Sequence, residues 1–122
     1  MAKIIQLYTG VAIGESAAPV VVNPDGSQSP FSIPSGMAFV LTDVSLSRVS
    51  VVGTPGLFFV QFNQSVPPID VALRWAFVGT VSENIERSFT TGIKFSSTFS
   101  IGNGNQSADG LNVWLLGYFD GL

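Results

Sequence analysis

The segment from Ser32 to Val52, SIPSGMAFVLTDVSLSRVSVV, decides the fold of this chain. It opens with the turn sequence IPSG at residues 33–36 and then continues to residue 52 without another glycine or proline. Val, Leu and Phe, which favour β-strands, dominate it. The segment therefore predicts one long strand, and the shorter strands of the chain are expected to pair with it.

The two halves of this predicted strand differ in polarity. Because side chains alternate between the two faces of a strand, residues 37–41 are apolar on both faces, whereas the second half is apolar on only one. Strict alternation puts Asp43 on the same face as Leu41, where a buried carboxylate would need Arg48, Arg74 or backbone amides as partners. We expect Asp43 to pin the strand end or to form a salt bridge between subunits.

The rest of the chain reads as short strands separated by turns. Clear turn signals are NPDG at residues 23–26 and GTPG at residues 53–56, and no ten-residue stretch has helical periodicity. The sequence predicts an all-β, antiparallel two-sheet sandwich or jelly roll of about eight strands with little or no helix. The expected strands besides the long one are Lys3–Tyr8, Val20–Val22, Gln28–Ile33, Leu57–Phe62, Asp70–Val78, Ile85–Phe89, Ile93–Phe95, Phe99–Ile101 and Leu111–Phe119.

Three of these segments are apolar on both faces and are the expected central strands. They are Met37–Leu41, Leu57–Phe62 and Leu111–Phe119. A strand with two apolar faces must be covered twice, either by the core and a second layer or by the core and another subunit. We expect these three strands to supply both the core and a subunit contact.

Composition favours one domain that meets another copy of itself. The chain has 122 residues, so residues 1–122 are expected to form a single domain. Charged residues make up 11%, against about 25% in typical domains, and mean hydropathy is +0.44. A surface so poor in charge favours a homo-oligomer. The alternative is a neutral monomer covered by Ser, Thr and Asn.

The charge pattern excludes several classes of partner. Eight acids and five bases are scattered singly and give a net charge of -3, so no basic run could follow a nucleic acid. There is no cysteine for a disulfide or a soft-metal site, and no cofactor is expected. The amino-terminal segment is a poor signal peptide, and no apolar run approaches the roughly 18 residues of a membrane helix. The expected location is the virion or the cytoplasm.

The side chains available make an enzyme an unfavoured hypothesis. Histidine is absent, which removes the usual catalytic triad, and a Ser-Lys arrangement would have to use Lys3 or Lys94. A carboxylate-based glycoside hydrolase would need two acids in one cleft. Its candidates are Asp43, Asp70, Glu83 and Glu86, although solvated positions explain acids of this kind more simply.

The loop GNGNQSADG, residues 102–110, is the most polar segment. Its alternating oxygen ligands superficially suit calcium, but the closing bidentate Glu of such sites is missing. The loop could instead bind sugar hydroxyls, with Trp114 or Tyr118 as a stacking platform, although tryptophans on apolar strands more often belong to a core or an interface. The expected sugar-binding residues are Asn103, Asn105, Gln106 and Asp109.

Four motifs carry a resemblance to known modules. They are IPSGMAFVLTDVSL at residues 33–46, GIKF at 92–95, TFSIGN at 98–103 and VWLLGYF at 113–119. Together they resemble short jelly-roll modules of the tumour-necrosis-factor and complement type, which bacterial and phage proteins also use. The resemblance implies a homotrimer that packs through apolar sheet faces and acts by binding or by building assemblies.

These observations converge on a structural function. The leading hypothesis is a non-enzymatic module that forms a homo-oligomer, with a trimer favoured, as a decoration or capsid-associated component of a virion. The alternative hypothesis is a carbohydrate-binding jelly roll. The expected interface residues are Met37, Phe39, Leu41, Phe58, Phe59, Trp114, Leu116 and Tyr118.

Overall fold

The computed structural model describes residues 3–11, 16–49, 56–65, 67–77, 83–103 and 110–121. These residues form ten strands and no helix. The strands are β1 (Ile5–Val11), β2 (Ser16–Ala17), β3 (Val20–Val22), β4 (Gln28–Pro30), β5 (Met37–Val49), β6 (Gly56–Gln64), β7 (Ile69–Phe77), β8 (Glu83–Phe95), β9 (Phe99–Asn103) and β10 (Gly110–Gly121).

The strands form two antiparallel sheets. The larger has the order β4-β3-β1-β10-β5-β8, and the smaller has the order β2-β9-β6-β7. This arrangement confirms the predicted all-β sandwich of jelly-roll type. The strand number exceeds the predicted eight. Strand β2, with only two residues, corresponds to no expected segment, whereas β4 lies within the expected Gln28–Ile33.

The long strand and its two apolar companions are central, as predicted. Strand β5 lies between β10 and β8, β10 lies between β1 and β5, and β6 lies between β9 and β7. However, β5 pairs only with β10 and β8, and β6 belongs to the other sheet. The expectation that all shorter strands pair with β5 is therefore wrong, because a sandwich divides its strands between two layers.

A β-bulge at Thr42 changes the face assignment of β5. Leu116 lies opposite Asp43, but the next residue, Gly117, lies opposite Leu41, so Thr42 has no partner on β10. The bulge exchanges the two faces of the strand, so odd-numbered residues point into the core before Thr42 and even-numbered residues do so after it. As a result Phe39 and Leu41 before it, and Val44 and Leu46 after it, all lie in the same core, and the prediction that Asp43 shares the face of Leu41 is wrong.

The first half of β5 is buried on both sides, as expected. Ala38 and Val40 point away from the core cluster yet are each 1% exposed. On the outward side a Lys94–Asp120 ion pair of 3.6 Å spans β5, since Asp120 lies opposite Ala38 and Lys94 opposite Val40. Their burial is therefore achieved within one chain and needs no second subunit.

The NPDG turn closes the β3–β4 hairpin. Asn23 accepts a hydrogen bond from the Gly26 amide at 2.9 Å, and the Asn23 amide donates to the Ser27 carbonyl at 2.8 Å. Gly26 has φ 88°, a conformation that glycine adopts without steric cost. Pro30 lies in β4 at the edge of the sheet, where a missing amide proton costs no ladder bond.

Residues 83–95 form one strand, although two were predicted. Gly92 has φ 73°, and residues 89–92 lie opposite Thr42, where the register between β5 and β8 shifts. The Thr91-Gly92 break therefore produces an irregularity inside β8 and does not end the strand.

Phenylalanine provides the largest side chains of the core. Phe95 and Phe99 stack with ring centroids 4.2 Å apart, and Phe31 meets Phe39 edge to face at 5.2 Å. Buried Gln64 is satisfied because its Nε2 donates to the Pro67 carbonyl at 2.7 Å and its Oε1 accepts from the Ser97 amide at 3.1 Å. A rigid aromatic core thus supports the larger sheet from one side.

Candidate functional site

The side of the larger sheet that faces away from the core carries its functional side chains. Odd-numbered residues of β10 such as Val113 and Leu115 are buried in the core, so the even-numbered ones point outward. Residues directly opposite in neighbouring strands share a face. From β1 to β8, one outward row is Tyr8, Trp114, Ser45 and Glu86, and the next is Gln6, Leu116, Asp43 and Ser88.

These rows enclose a groove of about 420 Å³, here called the face groove. Trp114 on β10 lines it, as do the acids Asp43 on β5 and Glu86 on β8. It therefore combines an aromatic surface with hydrogen-bond acceptors. Its lining residues are Gln6, Asp43, Val44, Ser45, Glu86, Arg87, Ser88, Trp114 and Leu116.

Trp114 is held in place by its neighbours on β1 and β10. Its ring lies 4.4 Å from that of Tyr8, centroid to centroid, at an interplanar angle of 42°. The Tyr8 hydroxyl donates to Asn112 Oδ1 at 2.7 Å, which fixes the Tyr8 ring. Trp114 nevertheless stays 38% exposed, so part of a fixed indole surface is open to solvent.

Asp43 is oriented by two hydroxyl groups. Ser88 Oγ donates to Asp43 Oδ1 at 2.7 Å, and Thr42 Oγ1 donates to Asp43 Oδ2 at 2.8 Å. These hydrogen bonds, that of Ser88 first, lower the pKa of the Asp43 carboxyl below its ordinary value of 3.8. The predicted partners Arg48 and Arg74 have side chains outside the described part of the structure.

The face groove brings together two of the four acids proposed for a hydrolase. Asp43 and Glu86 line it, Asp70 is exposed on β7 in the other sheet, and the side chain of Glu83 lies outside the described residues. A glycosidase needs one carboxyl group whose pKa is raised by burial. The pKa of Asp43 is shifted the opposite way, so this carboxylate is suited to accept hydrogen bonds and not to donate a proton. Glu86 is exposed.

A second groove, here called the end groove, lies where β1 begins and β10 ends. Its volume is about 950 Å³. Phe31 and Phe119, stacked with ring centroids 6.2 Å apart and nearly parallel, line it together with Met37. Two large apolar side chains on its wall are open to solvent, Ile4 at 60% and Leu116 at 38% exposure. Leu116 and Gln6 line both grooves.

The predicted interface residues fall into five groups. Met37 and Leu116 line the end groove, Trp114 and Leu116 line the face groove, and Tyr118 is half-buried on the outward side of β10. Phe39 and Leu41 are 0% exposed and belong to the core, so neither can form a surface contact in this conformation. The side chains of Phe58 and Phe59 on β6 lie outside the described residues.

The predicted sugar-binding loop lies mostly outside the described residues. Asn105, Gln106 and Asp109 belong to the segment 104–109 that the structure does not describe, and for Asn103 only the backbone of β9 is described. Of the two lysines considered for catalysis, Lys94 is paired with Asp120 and Lys3 lines the end groove. Within the described ranges no three His, Cys, Asp or Glu side chains are grouped to hold a metal ion.

The sequence did not predict three residues at or beside the grooves. Gln6 and Tyr8 lie in β1 and Ile4 directly precedes it, and the pairing of β1 with β10 joins residues about 100 positions apart. Gln6 and Ile4 line the grooves, and Tyr8 contacts Trp114. The one available signal was the polar run Asp43, Ser45, Ser47, which alternates along the second half of β5.

The described residues contain no helix of the length and apolarity needed to cross a membrane.

Solved structures similar to this chain include three proteins of different kinds. The globular domain of zebrafish complement 1qA protein is similar with TM-score 0.52 and 10% identity, over 97% of each chain. The PRD1 vertex protein P5 has TM-score 0.47 and 13% identity, over 94% of this chain and 95% of that one. A carbohydrate binding module from glycoside hydrolase family 9 (Cel9A) of Ruminococcus flavefaciens FD-1 has TM-score 0.41 and 13% identity, over 92% and 98%.

No protein-family model and no curated protein matches this chain. The likeness to the complement domain covers nearly the whole chain and confirms the jelly-roll resemblance drawn from the motifs. At 10% identity it establishes the fold alone. Function must therefore be argued from the two grooves.

Proposed function

We propose that this chain is a non-enzymatic assembly module that binds further copies of itself through the end groove. The observation that carries the proposal is the exposure of Ile4 and Leu116 on the wall of that groove, in a chain with only 11% charged residues. Exposed apolar surface on a protein otherwise covered by polar groups marks a contact site.

The end groove is suited to tight packing. The stacked rings of Phe31 and Phe119 contact the core through Phe39, so this part of its lining is fixed before any partner arrives. Burial of apolar area stabilises a contact by about 25 cal/mol per Å². Because the rings of Phe31 and Phe119 are already fixed, their burial costs little additional side-chain entropy.

Charge favours a second copy of the same chain as the occupant. Lys3 is the single charged residue that lines the end groove, whereas Asp43 and Glu86 lie in the face groove. The lining of this groove therefore brings no carboxylate into a contact between two chains, each with a net charge of -3. A trimer is the state that the motif resemblance implies, and a particle such as a virion is the setting that we propose.

The test is the mass of the protein in solution. Wild type should be an oligomer at micromolar concentration, and Ile4→Glu should be a monomer because a carboxylate would have to be buried in an apolar contact. Thr90→Glu adds the same charge at an exposed position of β8 and should leave the oligomer intact. A monomeric wild type, or an Ile4→Glu protein of unchanged mass, would overturn the proposal.

The alternative function, carbohydrate binding through Asn103, Asn105, Gln106 and Asp109, stays a prediction for the loop at residues 102–110. Changing Asn105 or Asp109 to Ala should abolish any glycan binding that depends on this loop. Retained binding in both variants would contradict it.

A further inference from the structure

We propose that the face groove binds a neutral saccharide, with Trp114 stacking on a sugar ring and Asp43 and Glu86 accepting hydrogen bonds from its hydroxyl groups. This inference does not depend on self-association, because the residues that carry it lie outside the end groove. It also concerns a different set of residues from the polar loop at 102–110.

The aromatic platform is the first argument. A sugar ring has a face of C–H groups that packs against an aromatic ring, while its hydroxyls point outward from the ring edge. Trp114 is 38% exposed, and contact with Tyr8 holds its ring in place. An indole that is fixed before binding loses little entropy when a ligand stacks on it.

The acceptors are the second argument. Each oxygen of Asp43 already accepts one hydroxyl proton, from Ser88 or Thr42, so the carboxylate is oriented and has further lone pairs to offer. Glu86 lies opposite Ser45, one row away on the same face, and is exposed. Hydrogen bonds from hydroxyl groups to charged carboxylates are shorter and stronger than those between neutral groups.

The other lining residues of the face groove favour a saccharide over other classes of ligand. Two carboxylates and one cation, Arg87, line the groove, so its charge is negative on balance and disfavours phosphate-bearing and acidic ligands. A cation would be attracted, but Gln6, Ser45 and Ser88 are neutral groups that both donate and accept, which suits hydroxyl groups. A volume of about 420 Å³ is at the lower end of small-molecule sites, the size for a short saccharide.

The test uses the full chain on a glycan array with neutral and acidic glycans, followed by calorimetry with any neutral glycan that binds. We expect binding to a neutral glycan, at least tenfold weaker affinity in Trp114→Ala, and partial retention in Trp114→Phe. Glu86→Gln should weaken binding several-fold, and because Glu86 is exposed this variant tests the site without a folding risk.

Mass and competition measurements complete the test. Each variant should keep the mass of wild type, which separates this proposal from self-association. The proposal is overturned by no neutral-glycan binding at about 100 µM protein, by full affinity in Trp114→Ala, or by choline or a basic peptide binding the groove in place of glycans. A Trp114→Ala protein of reduced mass would assign Trp114 to the subunit contact and also overturn it.

Discussion

The two grooves share a wall and differ in chemistry. Leu116 and Gln6 border both, yet the face groove holds Trp114, Asp43 and Glu86, whereas the end groove is lined largely by apolar side chains. The difference follows from the strands beside β10. Toward β5 and β8 the face groove is lined by Asp43, Ser45, Glu86 and Ser88, whereas at the start of β1 the end groove exposes the apolar side chain of Ile4. Two of the acids thus lie in one groove, and the other groove is left largely apolar.

The largest loss of stability is expected from a substitution in the sheet that carries both grooves. A Cβ at Gly117 would collide with the Phe39 ring and the Val40 carbonyl, which are core and backbone atoms that cannot move aside. Gly117→Ala should lower the free energy of unfolding by about 3 kcal/mol, as overpacking does. Urea denaturation measures this, with Gly121→Ala as the control because nothing lies within 4 Å of its added Cβ. Equal midpoints for the two variants would contradict the packing described here.

A second prediction concerns the shared wall. Leu116→Ser should weaken self-association and saccharide binding together by about tenfold each, since about 1 to 2 kcal/mol of apolar contact is lost on both sides. Ile4→Ser should weaken only self-association, and Glu86→Gln only saccharide binding. Sedimentation and calorimetry on the three variants check this. If Leu116→Ser alters just one of the two properties, the grooves do not share this wall functionally.

A third prediction concerns how Tyr8 holds the Trp114 ring in place. Tyr8→Phe removes the hydroxyl that donates to Asn112 and should cost about 1 kcal/mol of stability. Saccharide affinity should fall only two- to threefold, because the ring contact with Trp114 remains. The mass of the oligomer should not change. A loss of affinity as large as that of Trp114→Ala would mean that the hydroxyl itself contacts the ligand.

The smallest expected effect is a change in pH dependence. Since the pKa of Asp43 is lowered by hydrogen bonds from Ser88 and Thr42, the folded protein is stabilised above pH 3.8 and loses this stability as pH falls through the folded pKa. Asp43→Asn should therefore flatten the acid limb of stability against pH. Asp25, whose pKa hydrogen bonds from Ser27 also lower, contributes to the same limb.

The control for this prediction is Asp25→Asn. It should flatten the acid limb in a similar way without any effect on saccharide affinity, because Asp25 lies in the turn of the β3–β4 hairpin and not in the face groove. An acid limb that Asp43→Asn leaves unchanged would contradict the hydrogen bonds assigned to this carboxylate.

The sequence predicts the strands better than it predicts the site. Apolar runs identified Met37–Leu41, Leu57–Phe62 and Leu111–Phe119 as central because burial on both faces leaves a strong compositional signal. The turn at Asn23–Gly26 was equally clear, since Pro fixes its own φ and Gly adopts a positive φ without steric cost.

The site depends on features that have no local signal. One bulge residue, Thr42, moves Asp43 from the core face to the face groove. The sequence LTDV at residues 41–44 contains no signal that predicts this bulge. The pairing of β1 with β10 brings Tyr8 to Trp114 from the far end of the chain. Register between distant strands is set by packing of the whole core, so alternation alone placed Asp43 wrongly and left Gln6 and Tyr8 unassigned.

We propose the end groove as a contact between copies of this chain. Its most direct test is the solution mass of wild type and Ile4→Glu, measured by light scattering across micromolar concentrations. We predict an oligomer, with a trimer as the expected state, for wild type and a folded monomer for Ile4→Glu. A wild-type monomer throughout that range, or the same oligomer in both proteins, would contradict the claim.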